Sequence, residues 1–162
     1  MIVRMSVPSR VHLTLIDLGH AGYRRNGGVG FGITAPRSTF AFASHSAVDV
    51  SALATCGYLP AEIATLTARL ERLMSQRQLT QGLRLAEVKL PSRHAGFGTG
   101  TAVALASMES LFLLNDLSVS PEFLRSHCGR GGASGIGLSN YFKGGFIFDA
   151  GRSFNPAPIV GS

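Results

Sequence analysis

Apolar and polar residues alternate through Val11, Leu13 and Leu15, with His12 and Thr14 between them. Val11–Asp17 therefore predicts a strand with one apolar face. A loop rich in glycine and arginine follows, GHAGYRRNGG. VGFGIT then reads as a second strand, Pro36 as a turn, and STFAFAS, with Phe40 and Phe42 alternating, as a third strand paired with the second in a hairpin. Pro60 opens a helix whose Ile63, Leu66, Leu70, Leu73 and Met74 fall on one face. GLRLAEVKLP predicts another strand, closed by Pro91. The glycine-rich SRHAGFGTG leads into TAVALASMESLFLLND, which is apolar nearly all round and predicts a helix buried on most sides. Pro121 opens a short helix to His127, GRGGASGIG is a second glycine-rich loop, and GGFIFDAG predicts a final strand. Phe123, Tyr141, Phe142, Phe146 and Phe148 are assigned to the core. The order predicts an α+β domain, with helices packed on one face of a mixed or antiparallel sheet. The tail NPAPIVGS reads as loose.

Composition narrows the partners. With 45% hydrophobic and 15% charged residues in 162, the chain is one folded domain rather than a disordered one. Fifteen Lys+Arg against nine Asp+Glu give a formal net charge of +6, which favours anionic ligands. Only Lys89 and Lys143 are lysines, and the arginines are spread along the chain. Without a basic stripe, a nucleic-acid surface is disfavoured. Cys56 and Cys128 form no CxxC, which fits a reduced, cytoplasmic setting without zinc. No signal-peptide core or membrane-spanning run is present, and no nicotinamide or flavin motif.

The candidate chemistry lies in the loops. In HAGFGTGTA, Gly96, Gly98 and Gly100 let backbone approach a ligand, Thr99 and Thr101 offer hydroxyls, and the next helix offers free N–H groups. That suits phosphate or pyrophosphate; the alternative is a plain tight turn. The loop is neither a Walker motif nor a dinucleotide-binding GxGxxG. Arg130, Gly131, Ser134 and Gly135 of GRGGASGIG form either a second cradle or a close crossing of two elements. Asp17 ends its strand facing the arginine loop, as a charge stabiliser, as a holder of a metal on pyrophosphate, or as a turn residue paired with arginine. Arg10, Arg24 and Arg25 are candidates for forking onto phosphate or carboxylate. His12 and His94 read as structural or as ligand-contacting.

Pro91–Ala102 resembles the phosphate loop PxxxGLGSSAA of the GHMP superfamily, with Phe97 in place of Leu and Thr99–Thr101 in the Ser-Ser region. PSRVHLTLID with RRNGGVGFGI, HAGFGTGTAVALA, and CGRGGASGIGLSNYFKGGFIFDAG together resemble the β-ribofuranosylaminobenzene 5′-phosphate synthases of that superfamily. The resemblance covers Pro8 to about Gly151. It implies a ribosomal-protein-S5-domain-2-like N-terminal domain over residues 1–151, a tail over 152–162, and no counterpart of the superfamily's C-terminal domain. It implies a transferase joining phosphoribosyl pyrophosphate to 4-aminobenzoate with release of CO2 and pyrophosphate, in methanopterin-type cofactor biosynthesis. Any Mg²⁺ would be held mainly by pyrophosphate. By this resemblance Gly96, Gly98, Thr99, Gly100 and Thr101 bind phosphate, and Asp17 and Arg25 are catalytic. Ser9, Arg10, His12, Arg24, Asn26, Gly27, Gly28, His94, Arg130, Gly131, Ser134 and Gly135 contact substrate. Asn26 stands where some relatives would carry an acid. A second chain supplying the other domain, or a homodimer, is an expected partner. The rival readings are an ATP-dependent GHMP small-molecule kinase, a non-catalytic basic αβ module, and a truncated inactive remnant.

Overall fold

A computed structural model describes residues 1–16, 24–25, 27–129 and 135–153. Its spine is β3 (Gly27–His45), which shares one edge with β1 (Ile2–Ile16) along nearly its whole length. The other edge of β3 is divided. β4 (Gly82–Lys89) pairs with Thr39–His45, and β5 (Phe146–Asp149) pairs with Gly28–Phe31. All three pairings are antiparallel. Separately, β2 (Arg24–Arg25) pairs with β6 (Arg152–Ser153) in a two-residue ladder.

The hairpin expected between VGFGIT and STFAFAS does not form, because both are parts of the single strand β3. Ser9 pairs with Ile33 while Pro8 pairs with Arg37, so residues 34–36 bulge from the ladder. A bulge asks no ladder hydrogen bond of Pro36, which has no N–H to give. Arg37 secures the strand beyond it, donating from Nε to Ser6 Oγ (2.7 Å) and from Nη2 to the Ser6 carbonyl (2.8 Å). The hairpin partner of β3 is β1, which starts far earlier than Val11. Val3, Met5 and Val7 extend its alternation and pack on the core, although Arg4 and Pro8 interrupt the apolar signal.

The helices lie against one face of this sheet. α1 (Pro60–Gln76) begins at Pro60 as its sequence indicates, with the Leu59 N–H donating to Glu62 Oε2 (2.8 Å). Its stripe Leu66, Leu70 and Leu73 is buried, each side chain contributing roughly 1.5–3 kcal/mol over an exposed one. α2 (Thr99–Leu113) starts two residues before the expected Thr101, and twelve of its fifteen residues are buried. It is the central helix, packed on β1, β3 and β4 and on α1, α3 (Pro121–His127) and α4 (Ile136–Phe142). α4 was not expected from the sequence. Gly135 before it and Gly144 and Gly145 after it hide a two-turn helix that packs on β1, β3 and β5. Gly28, Gly30 and Gly32 of β3 lie beneath α4, because a Cβ at the first two would meet Ile136, and one at Gly32 would meet Asn140.

The opposite face of the sheet is open. Over β4 it is polar: Arg4 and Glu87 flank Ala41 in register and join across it at 3.0 Å. Phe123, Tyr141 and Phe142 pack against the core as expected. Phe146 and Phe148 do not, being 72% and 65% exposed. On a four-residue strand at the sheet's end they alternate with buried Ile147, and they occupy the face that no helix covers. No helix among the described residues is long and apolar enough to cross a membrane.

Candidate functional site: a glycine loop on a buried helix

α2 sits deep in the molecule, and its first turn opens onto a cavity of about 330 Å³. The residue that caps the helix is Gly98, at φ 78°, with no side-chain hydrogen bond to the free N–H groups of the first turn. A side chain in that left-handed conformation would be strained, and its Cβ would lie 3.0 Å from Arg10 Cγ and Nε. Gly98 thus leaves the positive end of the helix dipole open to the cavity, the geometry that suits an anion.

Two arginines stand beside that opening. Arg10 on β1 holds the loop: its backbone N–H donates to the Phe97 carbonyl (3.2 Å) and its Nη1 to the Gly96 carbonyl (3.4 Å). Arg93 stacks on the Tyr58 ring with Cζ 3.8 Å from the centroid, donates to Glu62 Oε1 (2.5 Å) and also to the Gly57 carbonyl. The Arg93 hydrogen bond, aided by the Leu59 N–H, holds the Glu62 carboxyl below its ordinary range. The lining therefore has two guanidinium groups against one carboxylate, an excess that favours a negatively charged ligand. An adjoining groove of about 420 Å³ between α1 and α2 shares Tyr58, Glu62 and Gly100 and is floored by Leu66, Val103 and Ala104.

The structure brings Arg10, His94, Gly96, Gly98, Thr99 and Gly100 together around the first cavity. Thr101 is buried and faces Gly137 of α4. Ser9 is buried as well, its Oγ without a hydrogen-bond partner among the described residues. His12 pairs with Gly30, and burial first and the Arg10 charge second lower its pKa. Gly27 pairs with Ile16, and Gly28 lies under Ile136. The backbones of Arg24 and Arg25 pair with β6. Gly135 caps α4, and its N–H donates to Asp149 Oδ2. Asp17, Asn26, Arg130, Gly131 and Ser134 lie outside the described residues.

Sequence reading missed Tyr58, Arg93 and Glu62. Arg93 sits inside the quoted loop motif, and Glu62 three residues after the helix cap, yet nothing in the linear pattern joins the two segments. It also missed Asp149, whose carboxylate accepts the Gly135 N–H and, at 3.0 Å, the Gly151 N–H. That one side chain ties the start of α4 to the end of β5.

The chain is 30% identical to a β-ribofuranosylphenol 5′-phosphate synthase of Methanothermobacter thermautotrophicus over 151 residues, 92% of its length. It is also 30% identical, over 94% of its length, to the synthase of that name from Archaeoglobus fulgidus. The chain resembles the β-ribofuranosylphenol 5′-phosphate synthases from end to end. The synthase of Methanocaldococcus jannaschii, at 26% identity over 156 residues, carries the same name. The chain spans about half the length of these relatives, 46–47% of each, as a resemblance to one half of such an enzyme requires. No family model matches the chain.

Proposed function

We propose that this chain is the phosphate-holding half of a β-ribofuranosyl 5′-phosphate synthase, built on a GHMP-type domain of the S5-domain-2-like kind and working in the cytoplasm. One observation carries the reading. The glycine-capped N-terminus of a buried helix opens, beside Arg10 and Arg93, onto a cavity of about 330 Å³. Phosphoribosyl pyrophosphate would place its pyrophosphate on the first turn of α2, with the arginines offsetting its charge. The apolar groove between α1 and α2 would take the ring of the aromatic acid.

In the reaction, the bond from the anomeric carbon to pyrophosphate breaks, and the ring carbon bearing the carboxylate attacks the anomeric carbon. Loss of CO2 then returns its electron pair to the ring. No oxidant or reductant is needed. The domain's contribution is to orient the two substrates and stabilise the departing charge. No cluster of three His, Cys, Asp or Glu residues among the described residues forms a metal site, and Glu62 is already engaged by Arg93. On this reading any Mg²⁺ would be held mainly by the pyrophosphate.

The test is a thermal-shift series with phosphoribosyl pyrophosphate, pyrophosphate, ATP and RNA. A ligand at a hundredfold excess over its Kd stabilises the native state by about 2.7 kcal/mol. Pyrophosphate ligands should give the largest shift. A larger shift with ATP would establish the kinase reading instead, and a shift with RNA alone the basic module. Turnover is followed as CO2 released from carboxyl-labelled 4-aminobenzoate, with 4-hydroxybenzoate in parallel because the relatives are named for a phenol. The chain alone should bind but turn over poorly, since closing the site and excluding water would need further polypeptide.

A further inference from the structure

The last glycine of GRGGASGIG is Gly137, buried on the first turn of α4. A Cβ there would stand 3.1 Å from Arg10 Nε and 3.1 Å from Thr101 Oγ1. Gly98, of the other glycine-rich segment, borders the same side chain, since its Cβ would stand 3.0 Å from Arg10 Cγ and Nε. One glycine from each segment thus makes room for Arg10. The gap left among Val7, Arg10, Gly98, Gly137 and Asn140 is about 10 Å³, no more than one water needs, so the arginine stem has little space to shift. Asn140 lies three residues after Gly137, on the same face of α4. It is 3% exposed, and its Nδ2 donates to the Pro8 carbonyl (2.8 Å). Pro8 stands two residues before Arg10, at the step where β1 changes register against β3. α4 therefore grips β1 on both sides of Ser9, by a hydrogen bond at Pro8 and by close packing at Arg10.

We infer that Gly137 and Asn140 are positioning residues for the anion site and act on it through Arg10. The inference rests on the reading of the cavity as a pyrophosphate site. Arg10 is the link because it lines that cavity and also holds the loop, its backbone N–H and Nη1 donating to the Phe97 and Gly96 carbonyls. Asn140 fixes the backbone from which Arg10 springs, and Gly137 lets the side chain lie against α4. The end of the second glycine-rich segment is then a close crossing of two elements, and the crossing sets the direction of a guanidinium that the first segment depends on. It contributes to anion binding without touching the anion.

The experiment uses the whole chain, with inorganic pyrophosphate as probe. Titration calorimetry reads affinity, and ¹H–¹⁵N NMR of the ligand-free chain reads the Arg10 Nε–H and the amides of Phe97 and Gly98. In Gly137→Ala the nearest atoms belong to side chains, one of them flexible, and alanine suits a helix better than glycine, so the fold is kept while Arg10 is displaced. Affinity should fall at least about fivefold. Asn140→Ser, which removes the bond to Pro8, should lower it by less. Arg10→Ala should weaken binding by itself, and adding either other substitution to it should change nothing further, because their effect runs through the missing side chain. Gly144→Ala is the control: just past the end of α4, at φ 62° with nothing within 4 Å of a Cβ, it should cost stability and leave affinity unchanged. The three NMR signals should move in Gly137→Ala and stay in Gly144→Ala. Circular dichroism and a cooperative melt establish folding, and Gly137→Ala carries the test if Asn140→Ser does not fold. The NMR signals decide if Arg10→Ala binds too weakly to titrate. The inference is overturned if either folded variant binds as the wild type does, or if its loss persists in full beside Arg10→Ala. It is also overturned if the Arg10 signal does not move in Gly137→Ala, or if Gly144→Ala loses as much affinity. If the signals move as expected but the wild type binds no pyrophosphate, the anion reading falls and the positioning of Arg10 by α4 stands.

Discussion

Two groups of glycines face different neighbours. Gly28, Gly30 and Gly32 lie in an extended strand, and the space a side chain would need is filled by protein: a Cβ at Gly30 would stand 2.6 Å from the Val11 carbonyl oxygen and 2.9 Å from Ile136. Gly96 and Gly98 lie in a loop at φ 82° and 78°, and nothing stands within 4 Å of a Cβ at Gly96. The first group lets a helix settle onto a sheet. The second leaves room open at Gly96 and is bordered at Gly98 only by the Arg10 side chain, beside a helix N-terminus and two arginines. In one basic chain, glycine thus serves packing in one place and, on our reading, anion binding in the other.

The comparison can be broken at its strongest point first. Gly30→Val should cost on the order of 3 kcal/mol, read as a fall in urea or thermal midpoint, because backbone and Ile136 both block it. A variant as stable as the wild type would show that the space under α4 is slack. Gly98→Val should cost less stability, about 1–2 kcal/mol from its left-handed backbone. Its mark should be a loss of pyrophosphate affinity of at least about tenfold, or about 1.4 kcal/mol. Unchanged affinity would mean the anion sits elsewhere. Gly96→Ala sharpens the contrast: with open space around it, only backbone strain of about 1 kcal/mol remains, and binding should fall less than at Gly98.

The smallest effect concerns pH. His12 titrates below its ordinary value in the folded chain, so the unfolded chain takes up its proton more readily. Its neutral form supports folding fully above about pH 6.5, and that support is lost as pH falls from there toward the lowered folded value. Replacing His12 with Gln should flatten this part of the stability–pH curve. An unaltered curve would show that its ring is not the group being titrated.

Periodicity made the helices legible where one element dominates its own surroundings. The stripe of α1, the all-round apolar α2 and the proline-led α3 could be read directly, and β4 and β5 follow from alternation between turn residues. β3 could not be read as one strand, since Pro36 looks like a stop until the bulge opposite Pro8 and Ser9 is known. α4 is short and bounded by glycines, and its packing rather than its propensity holds it. Phe146 and Phe148 were misassigned to the core because alternation does not say which face of a sheet is covered. For the candidate site, the glycine loop and Arg10 were visible in the motif. The Tyr58–Arg93–Glu62 cluster was not, because it forms only when the segment before α1 meets the segment after β4.

The divided edge of β3 has a consequence for how the protein is made. Gly28–Phe31 finds its β5 partner only in Phe146–Asp149, more than a hundred residues further along the chain. At ribosomal rates of about 5–20 residues per second, that stretch waits on the order of ten seconds with one edge bare. Gly28 and Gly30 leave Val29 and Phe31 as its two apolar side chains, fewer than an unbroken β-branched or aromatic run would present at a bare edge, and Asn26–Gly28 adds no apolar bulk. The same residues that make room for α4 in the finished fold would keep the nascent strand from capturing the wrong neighbour before β5 arrives.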